Sequence, residues 1–168
     1  QGSGVKYLVM DSGWYKEEDK KWWDTIGDWN VNKSQFPDGL KPVCDMIKSY
    51  GLIPGIWFEM ENVAPLSQIY NETDHLLSRM GTPLNVAGHR FLDLRDEWCV
   101  NYLDEKVIKL LRDSGYGYLK IDYNENIGVG CDGAESLGEG LRQYVLASQN
   151  YFKRIKEQLP DLVIENCA

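Results

Sequence analysis

The chain has 168 residues, of which 43% are hydrophobic, a composition that suits a globular domain. Its 26 Asp and Glu residues outnumber its 18 Lys and Arg residues, giving a formal net charge of −8. A surface of that sign repels phosphate backbones, so we expect no nucleic-acid partner. No apolar run approaches the roughly 20 residues that a membrane span needs, so we expect no membrane partner either.

Taken in chain order, hydrophobic periodicity predicts strands that alternate with helices. Short apolar runs predict strands at residues 7–10, 53–58, 91–94, 118–122 and 162–167. Apolar positions at the helical period predict helices at residues 40–50, 96–114 and 141–159. We expect Asp38 to cap the first helix and Gly51 to end it. Residues 15–37 are predicted to form a long aromatic-rich loop, and residues 65–90 an irregular insertion with a short helix.

This order predicts an α/β fold, because apolar strands joined through helices pair in parallel by right-handed crossovers. Polar residues stand at the carboxyl ends of the main strands: Asp11, Glu59, Glu61, Lys120, Asp122, Asn166 and Cys167. In a barrel of alternating strands and helices, that is the edge where chemistry takes place. We therefore predict a partial TIM (β/α)8 barrel. A dinucleotide-binding sheet is disfavoured, because no strand is followed by the glycine fingerprint.

Lys120 and Asp122 form the sharpest local pattern of the sequence. Alternation along a strand places both side chains on the same face. A lysine beside it would keep Asp122 ionised, as a nucleophile or an electrostatic stabiliser must be. A structural ion pair at a strand end is the alternative, and the pattern alone does not choose between the two.

Other polar and aromatic residues have a structural interpretation beside the functional one. Asp11 could accept hydrogen bonds from substrate hydroxyls, although capping of the following turn is preferred. Trp29 could stack on a sugar ring, although a packing role is preferred. Trp57 lies inside an apolar strand and is predicted to be core. Glu59 and Glu61 share a face and could form a carboxylate pair, although fixing loop backbone is the preferred interpretation.

Metal and disulfide chemistry are not predicted. The four cysteines have no CxxC spacing, and the two histidines, His75 and His89, are far apart in the sequence. Few cysteines without demonstrable pairs favour a bacterial cytoplasmic enzyme, which is an association only.

Six colinear motifs together resemble the melibiase-type α-galactosidases of glycoside hydrolase family 36. They are LVMDSGW at 8–14, GDWNV at 27–31 with FPDGL at 36–40, GIWFEME at 55–61, LDL at 92–94, YLKIDYN at 118–124 and ENC at 165–167. The similarity runs from about residue 5 to the end. Any one motif alone would be weak, and their order and spacing make the resemblance specific.

The resemblance implies a retaining exo-α-galactosidase that removes terminal α-linked galactose from oligosaccharides by double displacement. It makes Asp122 the nucleophile. The substrate-binding residues that it implies are Asp11, Trp29, Lys120, Asn124 and Cys167. Asp11 would hold the O4/O6 side of galactose, Trp29 would close over the sugar, Lys120 would bind its hydroxyls and Cys167 would approach it near C2. Residues 1–168 would then be about strands two to five of one catalytic barrel, truncated at the C-terminal and also at the N-terminal end.

Two departures from the family pattern matter. Ser12 stands where the family usually has a second Asp, and a hydroxyl cannot supply a carboxylate's charge-assisted hydrogen bond. The sugar therefore stays open between galactose and N-acetylgalactosamine, with a galactosyl-transferring relative as a further alternative.

A retaining glycosidase also needs a second carboxyl about 5–5.5 Å from the first. No carboxylate here matches that motif, which the resemblance places beyond Ala168, so we expect the isolated chain to be inactive. Two carboxylates suffice for the chemistry, so no cofactor is expected.

The alternative of a different class is a non-catalytic carbohydrate-binding or scaffold fragment. Four or five strands cannot close an eight-stranded barrel, so the sheet would have open edges. Edges of that kind could pair between copies, which makes a homo-oligomer an expectation of this alternative.

Overall fold

The computed structural model describes residues 4–167. Its strands are β1 (Tyr7–Met10), β2 (Ile53–Phe58), β3 (Asn62–Val63), β4 (Ser78–Arg79), β5 (Thr82–Pro83), β6 (Arg90–Phe91), β7 (Tyr118–Ile121) and β8 (Val163–Asn166). Its helices are α1 (Lys41–Ser49), α2 (Glu97–Leu103), α3 (Lys109–Ser114) and α4 (Leu137–Gln158). A π-helical stretch, Asp104–Ile108, joins α2 to α3. None of the helices in the described residues combines the length and apolarity that crossing a bilayer requires.

The main sheet has four strands in the order β1, β2, β7 and β8, and all neighbouring pairs are parallel. The chain passes through α1, then α2 and α3, then α4 between successive strands of this sheet. The predicted alternation of parallel strands and helices is therefore confirmed. The extra strand predicted at residues 91–94 is shorter: β6 pairs antiparallel with β3, outside the main sheet.

The two faces of the sheet differ in what they carry. Leu119 and Ile121 of β7 are fully buried in the core shared with the helices, whereas Tyr118 and Lys120 point to the opposite face. Gly55 of β2 stands beside Tyr118, and a Cβ atom there would lie 2.9 Å from Val9 Cγ2 and 3.1 Å from Tyr118 Cβ. Glycine at position 55 therefore makes room for the Tyr118 ring.

The Tyr118 ring lies on this opposite face, one layer below Lys120. Its centroid lies 4.8 Å from that of Tyr7, and its hydroxyl donates to Glu165 Oε2 at 2.7 Å. That hydrogen bond raises the pKa of Tyr118 to about 12. A single layer of aromatic rings thus lies beneath the carboxyl ends of the strands.

The start of α1 corrects one prediction. Leu40 is the N-cap residue and no side chain caps the helix, so Asp38 does not have the predicted role. Pro42 in the first turn explains why the helix begins there, because its fixed φ suits that position and its missing N–H is not needed. Gly51 does end the helix: with φ +76° it donates its N–H to Lys48 O at 2.8 Å.

Helix α4 packs unusually close to the loop that precedes it. Ser136 caps the helix by accepting from Glu139 N at 3.1 Å. One turn into the helix, a Cβ atom at Gly140 would lie 2.0 Å from Cys131 O, whereas a Cβ atom at Gly138 would meet nothing within 4 Å. The helix and the loop can therefore touch only because residue 140 lacks a side chain.

Candidate active site

The carboxyl ends of β1, β2, β7 and β8 bring several predicted site residues together. Lys120 Nζ donates to Asp11 Oδ2 at 3.1 Å, across the 109 residues that separate them in the sequence. Trp57 stands beside Lys120 in the register of the sheet, and Cys167 N donates to Ile121 O at 2.8 Å. Parallel pairing thus gathers residues from all four strands at one edge.

Asp122 is half-buried, and its carboxylate accepts hydrogen bonds from two N–H groups. Trp57 Nε1 donates to Oδ2 at 3.1 Å, and Tyr123 N donates to Oδ1 at 3.0 Å. Burial raises the pKa of Asp122, but these two bonds, with contributions from the Cys167 and Asn124 side chains, outweigh it and lower that pKa overall. Asp122 is therefore held as an anion at the carboxyl end of β7.

Lys120 has a different partner from the one expected. Its ion pair in the described residues is with Asp11, and that hydrogen bond is the main reason why the pKa of Lys120 is raised. The long lysine side chain reaches across β2 to the end of β1. The charge of Asp122 also raises the pKa of Lys120, so the two charges favour each other, while the hydrogen bonds that Asp122 accepts come from Trp57 and Tyr123.

Asp11 also has the structural role that the sequence favoured. Its Oδ1 accepts from Ser12 N at 2.8 Å, which caps the turn after β1, while Oδ2 faces Lys120. Cys167 lies beside Asp122, whose charge raises the pKa of the thiol and keeps it protonated as a donor. Asn124 is exposed and follows two residues later on the same loop.

Trp29 does not join this group. Its side chain is 2% exposed, and its ring packs against Tyr15 and Phe58 at centroid distances of 5.0 Å and against Trp14 at 6.1 Å. The indole has no face left for a sugar, so the predicted stacking role is not supported by its position. Its backbone φ of +50° turns the chain so that the ring enters this aromatic cluster.

Sequence reasoning missed the role of Trp57. The prediction that it is core holds for most of the side chain, which is 1% exposed, yet its indole N–H reaches Asp122. The signal available in the sequence was weak: Trp57 alternates onto the same strand face as Gly55, but only the register with β7 places it beside the carboxylate.

Glu59 fixes loop backbone, as preferred from the sequence, whereas Glu61 is bonded to side chains and does not have that role. Glu59 accepts from Asn124 N and Asn62 Nδ2 at 3.0 and 2.9 Å. Glu61 accepts from the hydroxyls of Tyr144 and Ser148 on α4. Within residues 4–167, no group of three or more His, Cys, Asp or Glu side chains is arranged to hold a metal ion.

The four parallel strands joined through helices, with a carboxylate, a lysine and an indole at their carboxyl ends, fit part of a (β/α)8 barrel. The family model described as Melibiase matches residues 1–168. The chain therefore belongs to the melibiase family.

Named relatives agree with this membership. Alpha-galactosidase Mel36A of Lactobacillus acidophilus is 29% identical over 98% of this chain and 23% of its own length. An alpha-galactosidase of Escherichia coli is 28% identical over the same shares of the two chains. The chain thus spans about a quarter of the length of the curated relatives that it matches.

Solved structures superpose on nearly the whole chain. The GH36 alpha-galactosidase AgaA of Geobacillus stearothermophilus matches with a TM-score of 0.83 at 27% identity, covering 98% of this chain and 23% of that one. A variant of AgaA in complex with stachyose matches with a TM-score of 0.81 at the same identity and coverage.

Proposed function

We propose that this chain supplies part of the active site of a retaining exo-α-galactosidase, with Asp122 as the nucleophile. The observation that carries the proposal is the half-buried Asp122 carboxylate, held ionised by Trp57 Nε1 and Tyr123 N at the carboxyl end of β7. The alpha-galactosidase names of the relatives, and the stachyose bound by AgaA, support an α-galactoside as the substrate. Because the chain spans about a quarter of those relatives, we propose that further barrel strands complete the site.

The proposed reaction has two displacement steps. In the first, an Asp122 carboxylate oxygen bonds to the anomeric carbon while the bond to the leaving oxygen breaks, and that oxygen takes a proton from a second carboxyl. In the second, water attacks the same carbon, gives a proton to the second carboxyl and displaces Asp122. Two inversions return galactose with its original α configuration.

The second carboxyl is not assigned to Glu59 or Glu165. Glu59 oxygens accept three N–H donors, and Glu165 Oε2 accepts the Tyr118 hydroxyl, so both carboxylates are engaged in other hydrogen bonds. The proposed sugar contacts are the Lys120–Asp11 ion pair, whose N–H groups and carboxylate oxygens can bind hydroxyls, together with Asn124 and Cys167.

The test is a product analysis on the full-length protein. We expect hydrolysis of p-nitrophenyl α-galactoside, and the proton NMR spectrum of the earliest product should show α-galactose before mutarotation. Early β-galactose would contradict the retaining mechanism, and absence of hydrolysis would contradict the function. The matching N-acetylgalactosaminide, assayed in parallel, decides the sugar that Ser12 leaves open.

Replacing Trp57 by phenylalanine tests the hydrogen bond to Asp122. Removing a donor from a charged acceptor costs about 1.5–3 kcal/mol, so we expect kcat/KM to fall about 10–100-fold. The lost bond had lowered the pKa of Asp122, so that pKa should rise and the acidic limb of the pH profile should move to higher pH.

Trp14→Phe is the matched control for this measurement. Trp14 Nε1 donates to the backbone oxygen of Trp57 at 3.0 Å and does not bond Asp122. Its loss should lower thermal stability and leave the acidic limb in place. An unmoved limb in Trp57→Phe would contradict the assigned role of the indole.

A further inference from the structure

Glu59 carries a buried carboxylate next to the loop of Asp122 that the proposed reaction does not use. Its side chain is 2% exposed. Oε1 accepts from Asn62 Nδ2 at 2.9 Å and from Asn124 N at 3.0 Å, and Oε2 accepts from Asn124 Nδ2 at 2.7 Å. Every partner is a donor, so these bonds need both oxygens unprotonated.

The side chains of Asn62 and His89 also hold Glu59 in place. Because Asn62 Nδ2 is engaged with Glu59, the amide oxygen of Asn62 faces His89 Nδ1, which must therefore carry the hydrogen. His89 is 1% exposed, and its ring centroid lies 4.2 Å from that of Trp23. Burial lowers the pKa of His89, so the ring stays neutral in this position. A chain of hydrogen bonds thus runs from His89 through Asn62 to Glu59.

On its other side, Glu59 holds the loop that follows β7. Asp122 N donates to Phe58 O at 2.9 Å, and Asn124 N donates to Glu59. The end of β2 is therefore hydrogen-bonded to this loop on both sides of Tyr123. This arrangement has an electrostatic cost, because burial and, to a smaller extent, the charge of Asp122 raise the pKa of Glu59. Charge therefore does not explain a carboxylate here, and the geometry of its three donors does.

We propose that Glu59 is a positioning residue that fixes the loop presenting Asp122, and that His89, acting through Asn62, fixes Glu59. The inference rests on the proposed function, because it gives Glu59 a part in presenting the nucleophile. A neutral amide cannot replace the carboxylate: glutamine has one acceptor oxygen, and its NH2 group would face donors.

The first test is Glu59→Gln in the full-length enzyme, with intact sites counted by titration with 1-deoxygalactonojirimycin. A misplacement of about 1 Å can cost about 10²-fold in rate, so we expect kcat per site to fall by about that factor with little change in KM. Asp132→Asn is the matched control, because its carboxylate likewise accepts backbone N–H groups, those of Met80 and Gly81 in another loop. It should lower the unfolding temperature and leave kcat per site unchanged.

The second test is His89→Phe, which keeps a ring against Trp23 and removes the Nδ1 donor. Loss of one hydrogen bond, worth about 1 kcal/mol, should lower kcat about fivefold to tenfold. In the Glu59→Gln background the same change should have no further effect, because His89 acts through Glu59. Multiplying effects would overturn the proposal.

The outcomes separate this proposal from the one on which it rests. An active wild type with Asp122 established as nucleophile, but with unchanged kcat in Glu59→Gln, overturns the positioning role alone. A wild type without α-galactosidase activity overturns both proposals. If Glu59→Gln yields no folded protein, His89→Phe decides, and an unchanged kcat in that variant overturns the role.

Discussion

If Asp122 is the nucleophile, as proposed, replacing it by glycine in the full-length protein is expected to lower kcat/KM for an aryl α-galactoside by at least about 10⁴-fold. The glycine would then leave a space on the β face of the bound sugar. Azide can enter that space and attack the anomeric carbon in one displacement. We therefore expect azide to restore turnover and to yield β-galactosyl azide, identified by its proton NMR spectrum.

Asp96→Gly provides the matched control for the azide experiment. Asp96 is the N-cap of α2, where its carboxylate accepts from Trp98 N at 2.9 Å. Glycine costs the cap only a few tenths of a kcal/mol but also removes the contact of Asp96 with His75 at 2.6 Å, so the variant should be less stable. At a temperature where it is folded, its activity should stay near the wild-type level and should not respond to azide. If the Asp122→Gly variant is inactive and azide does not restore its activity, Asp122 has a structural role instead.

Replacing Gly140 by alanine is expected to have a large effect on stability. The new Cβ atom would lie 2.0 Å from Cys131 O, a backbone atom that can move only if the loop before α4 moves. Overpacking of this kind costs about 1–3 kcal/mol, and the backbone contact places this case at about 3 kcal/mol of unfolding free energy. The measurement is the thermal unfolding temperature of the full-length protein.

Gly138→Ala is the control within the same helix. A Cβ atom at position 138 meets nothing within 4 Å, and alanine is the better helix former, so we expect a gain of about 0.5 kcal/mol. Equal unfolding temperatures for the two variants would contradict the close contact between α4 and its loop.

The regular part of the fold was predictable because each element has a local signal. The apolar run at β2 and the helical period of α4 both depend on neighbours in the sequence. Strand β2 has the predicted bounds, and α4 begins four residues before its predicted start at 141. The cap of α1 was not predictable in this way. Asp38 has the right residue type, but Pro42 determines where the helix begins.

The candidate site was predictable in its residue types and not in its pairings. Strand alternation correctly put Lys120 on the face of the sheet opposite the core, yet it could not show that Lys120 pairs with Asp11. Whether Trp57 supports Asp122 depends on the register between β2 and β7, which is a long-range property. The role of Trp29 was not predictable either, because the sequence does not distinguish a loop tryptophan that packs in the core from one that binds a sugar.

The aromatic layer formed by Tyr118 and Tyr7 has a consequence for the shape of substrate that the proposed enzyme can accept. Gly55 lets the Tyr118 ring lie across the sheet about two residues, or roughly 7 Å, below Lys120. An oligosaccharide entering from the carboxyl ends of the strands would therefore meet these two rings beneath the proposed pocket, and they would limit how deep a sugar can lie beside β1 and β7.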